Sequence, residues 1–154
     1  MQGLDTDEMN TVADDERRTT AAEKLPVLAH RARIAAAIKE NPVVIISGET
    51  GSGKTTQIPR ICLEAGLCKR GVIACTQPRR VATVAVAERV AQELADAGSP
   101  VGWQHRFARH IPRNMRIKFM TDGILLAEIK SDPLLRRYGI VMVDEAHERT
   151  LNID

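Results

Sequence analysis

The sequence predicts an α/β fold, a mostly parallel sheet with helices on both faces. Three observations predict it. Short β-branched runs alternate with helical patterns, which is the signature of strand–helix–strand units. The β-runs are nearly all apolar, as strands buried on both faces are. One of them leads into a glycine-rich turn that opens a helix.

In chain order, residues 1–22 are expected to form an acidic, flexible tail, because they are polar, lack periodicity and place six acids and no base in the first 16 positions. A single domain is expected over 23–154. A helix is predicted to start near Pro26, which suits a first-turn position. Val27, Leu28, Arg31, Ile34, Ala35 and Ile38 give it one mostly apolar face, and Asn41-Pro42 ends it. Strands are then predicted at Val43–Ser47, Gly71–Thr76, Met115–Met120 and Gly139–Asp144, with helices at about Lys54–Ala65, Val81–Ala95 and Asp122–Lys130.

Composition narrows the class. Of 154 residues, 44% are hydrophobic and 27% charged, which excludes disordered, collagen-like and disulfide-scaffold chains. No apolar run approaches the roughly 18 residues that span a bilayer. The first ten residues are acidic where a secretory signal is basic. Cys62, Cys68 and Cys75 form no CxxC pair, so buried thiols and a cytoplasmic, membrane-free protein are expected. The net charge of +2 hides an asymmetry, for beyond residue 16 there are 22 basic and 14 acidic side chains, and 16 of the bases are arginines. A solvated surface and a face for a polyanion both fit that count.

Two motifs carry chemistry. Gly48-Glu49-Thr50-Gly51-Ser52-Gly53-Lys54-Thr55 matches G-x-x-x-x-G-K-[ST]. Its glycines let the backbone curl so that successive N–H groups face phosphate oxygens, and the helix that comes next adds its positive end. Lys54 is suited to reach the β- and γ-phosphates and Thr55 to hold Mg²⁺. Further on, Ile140-Val141-Met142-Val143 runs into Asp144-Glu145-Ala146-His147. This reads as a buried strand delivering acids to the sheet edge where α/β folds bind ligands. Asp144 is placed to hold Mg²⁺ and Glu145 to polarise a water, although acids there also serve as helix caps. His147, by itself, equally fits a packed residue.

GETGSGKTTQ, TQPRR, TDGILL and DEAHER, in this order and spacing, resemble the DEAH/RHA family of superfamily 2 RNA helicases. The longer stretches around the first and last of these look closest to the bacterial HrpA-like branch. The resemblance covers residues 25–154. It implies a RecA-like P-loop NTPase domain, the first of two in an ATP-dependent helicase moving on single-stranded RNA. The nucleotide, ATP or another NTP with Mg²⁺, would be held by Gly48, Glu49, Thr50, Gly51, Ser52, Gly53, Lys54, Thr55 and Thr56. Asp144 and Glu145 would be the metal-holding and water-activating pair, and His147 a link to the other domain. Arg89 matches the arginine that stacks on the base, though a helix-surface arginine also fits.

On the nucleic-acid side, the resemblance implies backbone contacts by Arg79, Arg80, Thr121, Asp122 and Arg106. Trp103 replaces the family's usual tyrosine, and Thr83 a usual alanine. With four aromatic residues in the chain, base stacking is not expected to dominate, and Trp103 and Phe107 are expected to pack as core or edge residues. The chain stops ten residues after Asp144, before the family's serine-alanine-threonine strand and its second RecA-like domain. The expectation is therefore an incomplete domain that binds ATP weakly, hydrolyses it slowly and does not unwind RNA alone. A non-catalytic ATP- or RNA-binding fragment and a P-loop ATPase outside the helicases, such as a kinase, are the alternatives.

Overall fold

A computed structural model describes residues 25–69, 71–95 and 100–148. The tail expected at 1–22, and Arg149 with the residues after it, lie outside the described residues. A 3₁₀ turn, Pro26–His30, leads into α1, Arg31–Glu40, and α2 is Lys54–Glu64. Then come β1 (Val72–Gln77), α3 (Arg80–Glu93), β2 (Val101–His105) and β3 (Ala108–His110). The last elements are β4 (Ile117–Thr121), α4 (Asp122–Ser131) and β5 (Tyr138–Val143).

The five strands form one sheet in the order β3-β2-β4-β1-β5. Pairing is parallel between β2 and β4, β4 and β1, and β1 and β5, and antiparallel between β2 and β3. Strand alternation then assigns the two faces. Ile73, Cys75, Ile117 and Phe119 point to one face, where α2 and α3 bring Cys62, Ala87 and Val90. Ala74 and Met120 point to the other, where Leu125 of α4 packs. The α/β class with helices on both faces is thus the observed one.

Four differences in detail have physical causes. The first predicted helix begins as a 3₁₀ turn, because Leu28 N–H bonds Leu25 O and draws the first turn tight. The β2–β3 hairpin has no counterpart among the predicted strands, since its polar strand ends break the β-branched texture. Residues 43–47, predicted as a strand, belong to no ladder. A cleft of about 570 Å³, lined by Val44 and Ile46 on one side and Val141 and Val143 on the other, separates this segment from β5. A strand needs a bonded neighbour, and among the described residues none reaches it. β5, expected to be buried, is an edge strand with Val141 and Val143 exposed.

All three cysteines are buried thiols outside any disulfide, as expected. Burial, with a smaller contribution from Cys68, pushes the Cys62 thiol up to about 11, and burial pushes Cys75 well above its ordinary value. Neither Cys62 nor Cys75 is a reactive thiolate at neutral pH. Among the described residues no helix is long and apolar enough to cross a membrane.

A polar cluster interrupts the α4 face. Lys118 is 1% exposed, and its Nζ donates to Glu128 Oε1 at 2.5 Å and to the Tyr138 hydroxyl at 3.2 Å. Tyr138 in turn donates to Glu128 Oε2. Burial works against charge on Glu128, but the hydrogen bonds from Lys118 and Tyr138 and the charges of Lys118 and Arg137 outweigh it, leaving the carboxyl below its usual range. Burial and the hydrogen bond to Glu128 raise the Tyr138 phenol. The cluster pins α4 to β4 and β5.

Removing one partner leaves the other charge stranded. Glu128→Ala is therefore expected to cost about 3–5 kcal/mol in denaturant unfolding, whereas the double change Lys118→Met with Glu128→Leu should fall within about 1–2 kcal/mol of the parent. A depressed carboxyl contributes stability above its unfolded value and loses it as pH falls through the folded one. Parent stability should accordingly decline in acid more steeply than that of the double variant.

Candidate functional site

The loop between residue 48 and α2 is built by two left-handed glycines. Gly51 and Gly53 have φ of 82° and 89°, a region that costs other residues steric strain. Gly53 has a second reason to be bare, since a Cβ there would lie 2.8 Å from Leu25 Cδ1. The Val27 N–H donates to Ser52 O at 3.2 Å, so the chain entering α1 braces this loop from outside. Sequence reasoning missed Leu25, which gives no signal beyond being apolar.

Lys54 opens α2 and curls back over the loop. Its Nζ donates to Gly48 O at 2.7 Å, Glu49 O at 2.8 Å and Ser52 Oγ at 3.1 Å. All three ammonium protons are thus held by the loop itself. Thr56 Oγ1 donates more weakly to Gly53 O, at 3.3 Å. Glu49 and Thr50 lie in the exposed turn.

Thr55, the second residue of α2, aims its hydroxyl at Asp144 Oδ2, 2.5 Å away and 89 residues on. Asp144 is there because β5 runs parallel to β1 and ends level with it, Thr76 facing Val143. The same Oδ2 accepts from Gln77 Nε2 at 2.6 Å. Asp144 Oδ1 accepts the Glu145 N–H at 3.0 Å. Glu145 itself has φ of 49°, left-handed for a residue with a Cβ, and its backbone carbonyl accepts the Glu148 N–H. Such strain is kept where a side chain must point one way. His147, exposed, lies with Nε2 3.2 Å from Glu145 Oε2.

Arg89 projects from α3 and its Nε pairs with Glu93 Oε1 at 3.2 Å. Glu93 is in turn gripped from α2, by Gln57 Nε2 at 2.8 Å and Arg60 Nη1 at 2.9 Å. The Arg89 guanidinium is thereby tied to the helix that begins at Lys54. Gln57 closes the quoted GETGSGKTTQ segment without being given a role there, and Glu93 gives no signal, because a helical glutamate looks ordinary until the helices are packed.

Three of the basic residues, Arg79, Arg80 and Arg106, lie along the same edge of the sheet. Gln77 and Thr121 are register partners at the ends of β1 and β4. Arg79 and Arg80 come after β1, and Arg106 and Phe107 form the tip after β2. The Arg80 guanidinium lies 4.9 Å over the Phe107 ring, and that of Arg106 5.9 Å. Phe107 is 71% exposed and so is a surface platform for arginines, contrary to the core or edge packing expected of it. Trp103 does pack against the core and stacks on His105. Thr121 precedes α4 without a side-chain cap bond, while Asp122 is buried at 7% exposure.

A protein-family model described as an AAA domain matches residues 31–153. The chain is 52% identical over 136 residues to the Escherichia coli ATP-dependent RNA helicase HrpA, covering 88% of this chain and 10% of that protein. It is 46% identical over 148 residues to the probable ATP-dependent RNA helicase kurz of Drosophila melanogaster, covering 94% and 12%. To the Arabidopsis thaliana ATP-dependent RNA helicase DEAH13 it is 53% identical over 137 residues, covering 84% and 11%. The chain therefore spans about a tenth of the length of these relatives.

The two kinds of glycine in the site separate cleanly. Gly53→Ala meets both a left-handed φ and the Leu25 side chain, and should cost about 1–3 kcal/mol in denaturant unfolding. Gly123→Ala, inside α4 with open space around its Cβ, should instead stabilise by about 0.5–1 kcal/mol.

Proposed function

The chain belongs to the AAA domain family, and from that premise we propose that it is the nucleotide-binding, first RecA-like part of a DEAH-type ATP-dependent RNA helicase. One observation carries the reading. The Thr55 hydroxyl at the start of the loop helix and the Asp144 carboxylate at the end of β5 meet at 2.5 Å. Two hard oxygens converging beside a phosphate-type loop suit Mg²⁺, which takes few protein ligands and fills its shell with phosphate oxygens and water. When bound, the cation supplies charge neutralisation at the β- and γ-phosphates.

The residues then divide the work. The N–H groups from Gly48 to Thr56 and the positive end of α2 cradle the phosphates of ATP or another NTP. Lys54 exchanges its loop carbonyls for phosphate oxygens, so the loop is held in shape by the same ammonium that later binds the ligand. Glu145, fixed in its left-handed turn, orients and polarises a water. Arg89, steadied by Glu93, offers a planar cation to the base. His147, exposed beside Glu145, is the contact for a second RecA-like domain.

RNA would lie along the row formed by Arg106, Thr121, Arg79 and Arg80, with the N–H groups at the start of α4 as a further phosphate site. Asp122 belongs to that row by position only, its side chain being buried. Contacts of this kind hold the backbone and carry no sequence information. Three buried thiols outside any disulfide fit a reducing, cytoplasmic setting.

A fluorescent ATP analogue tests the nucleotide half. It should bind in a Mg²⁺-dependent manner, Thr55→Ala should remove that dependence, and Lys54→Ala should weaken binding at least about tenfold, a loss of roughly 1.4 kcal/mol. Equal binding by all three proteins would overturn the reading. Wherever hydrolysis is measured, Glu145→Gln should keep nucleotide affinity and lower turnover by about 10²–10⁴.

For the RNA half, anisotropy with single-stranded oligonucleotides should give affinities that fall with salt. Replacing both Arg79 and Arg80 by alanine should flatten the log–log slope by about 1.4, two contacts at roughly 0.7 each. The loss should be the same for oligonucleotides of different sequence.

A further inference from the structure

Gln77 stands between the nucleotide and RNA halves of the site; it lies within the TQPRR segment, but the resemblance gives it no role of its own. It is the last residue of β1 and is 5% exposed. Its amide points to Asp144 Oδ2, 2.6 Å away. Because a carboxylate only accepts, the amide nitrogen and not its oxygen must face Asp144. The acceptor atom is the one that also takes the Thr55 hydroxyl at 2.5 Å. A single oxygen therefore joins three elements, α2 through Thr55, β1 through Gln77 and β5 through its own backbone.

The turn after Gln77 gives this bond its meaning. Pro78 has a fixed φ and no N–H, so the chain from the Gln77 amide to Arg79 and Arg80 is short and stiff. A second tie runs the same way, Arg79 Nη2 to Glu148 Oε1 at 3.5 Å, but both side chains are exposed and the pair is weak. The buried amide is the stronger link. A shift of the arginine turn would reach the carboxylate by this route.

We propose that Gln77 is a positioning residue that couples the Pro78–Arg80 turn to Asp144. Occupation of the turn by a single-stranded RNA backbone then changes affinity for a Mg²⁺–nucleotide, and the nucleotide changes affinity for RNA by the same factor. The coupling rests on the nucleotide and RNA reading of the site, and extends it to how the two ligands communicate.

The test is a binding square on the full chain, with a polyuridine oligonucleotide and a non-hydrolysable ATP analogue plus Mg²⁺. Each affinity is measured with and without the other ligand. For the parent, the two should be linked by at least about fivefold, the low end of allosteric coupling. Gln77→Leu and Gln77→Met keep the bulk and lose the donor; in both the linkage should fall to within about twofold while each ligand alone binds within about threefold of the parent, under 0.7 kcal/mol. Arg79→Ala, which removes a turn contact and keeps the Gln77 amide, should instead weaken RNA binding in both arms.

Linkage that persists in both Gln77 variants would overturn the coupling role while leaving the binding reading intact. A parent that binds both ligands without linkage would overturn it as well, and a parent that binds neither would remove the binding reading with it. A variant-free measurement guards against misfolding. The Gln77 side-chain amide resonances of the parent should move on adding RNA without nucleotide, and resonances that stay fixed would overturn the proposal.

Discussion

In a parallel ladder every strand runs the same way, so all the C-terminal ends emerge at one edge. Here β2, β4, β1 and β5 obey that rule. Their exits carry Arg106 and Phe107, then Thr121, then Gln77 with the arginine turn, then Asp144 and Glu145. Residues spread along the chain from Gln77 to Glu145 become neighbours because of hydrogen-bond direction alone. The order of strands then decides which chemistry is adjacent to which. β1 sits between β4 and β5, and so its end lies beside both the basic row and the acidic pair.

That arrangement holds only if the sheet is fixed from both faces. On one side α2 and α3 close over Ile73, Cys75, Ile117 and Phe119. The two helices are also joined by partly buried Glu93, which takes hydrogen bonds from Gln57 and Arg60. On the other side α4 is held by the apolar packing of Ile124, Leu125 and Ile129 and by half-buried Glu128, which with Tyr138 closes over the buried Lys118. A buried ion pair contributes little net stability over an apolar core, but it has one geometry. Its effect is to fix how α4 sits on the sheet.

The loop at residues 48–54 is preorganised by local constraints of a different kind. Two left-handed glycines, a lysine satisfied by its own loop and a leucine packed from outside leave it little freedom. Ordering costs are met during folding rather than at binding, which is what lets a short turn hold a highly charged ligand. Glu145, in its left-handed turn, obeys the same logic at the other side of the site.

Local signals in the chain were enough for the motifs and the class. The glycine spacing around Lys54, the apolar run into Asp144 and the alternation of textures are all readable without coordinates. They also placed α2, α3, α4, β1, β4 and β5 within a residue or two of their bounds. Everything that depends on a partner was settled only by packing. Residues 43–47 have a strand's composition but face a cleft, and β5 is an edge although its run reads as buried. Phe107 lies under an arginine at the surface, and Gln77, a polar residue whose partner no local signal names, finds Asp144 sixty-seven positions away. Composition records what a side chain can do; which neighbour it does it with is set by strand order and register, and those are non-local.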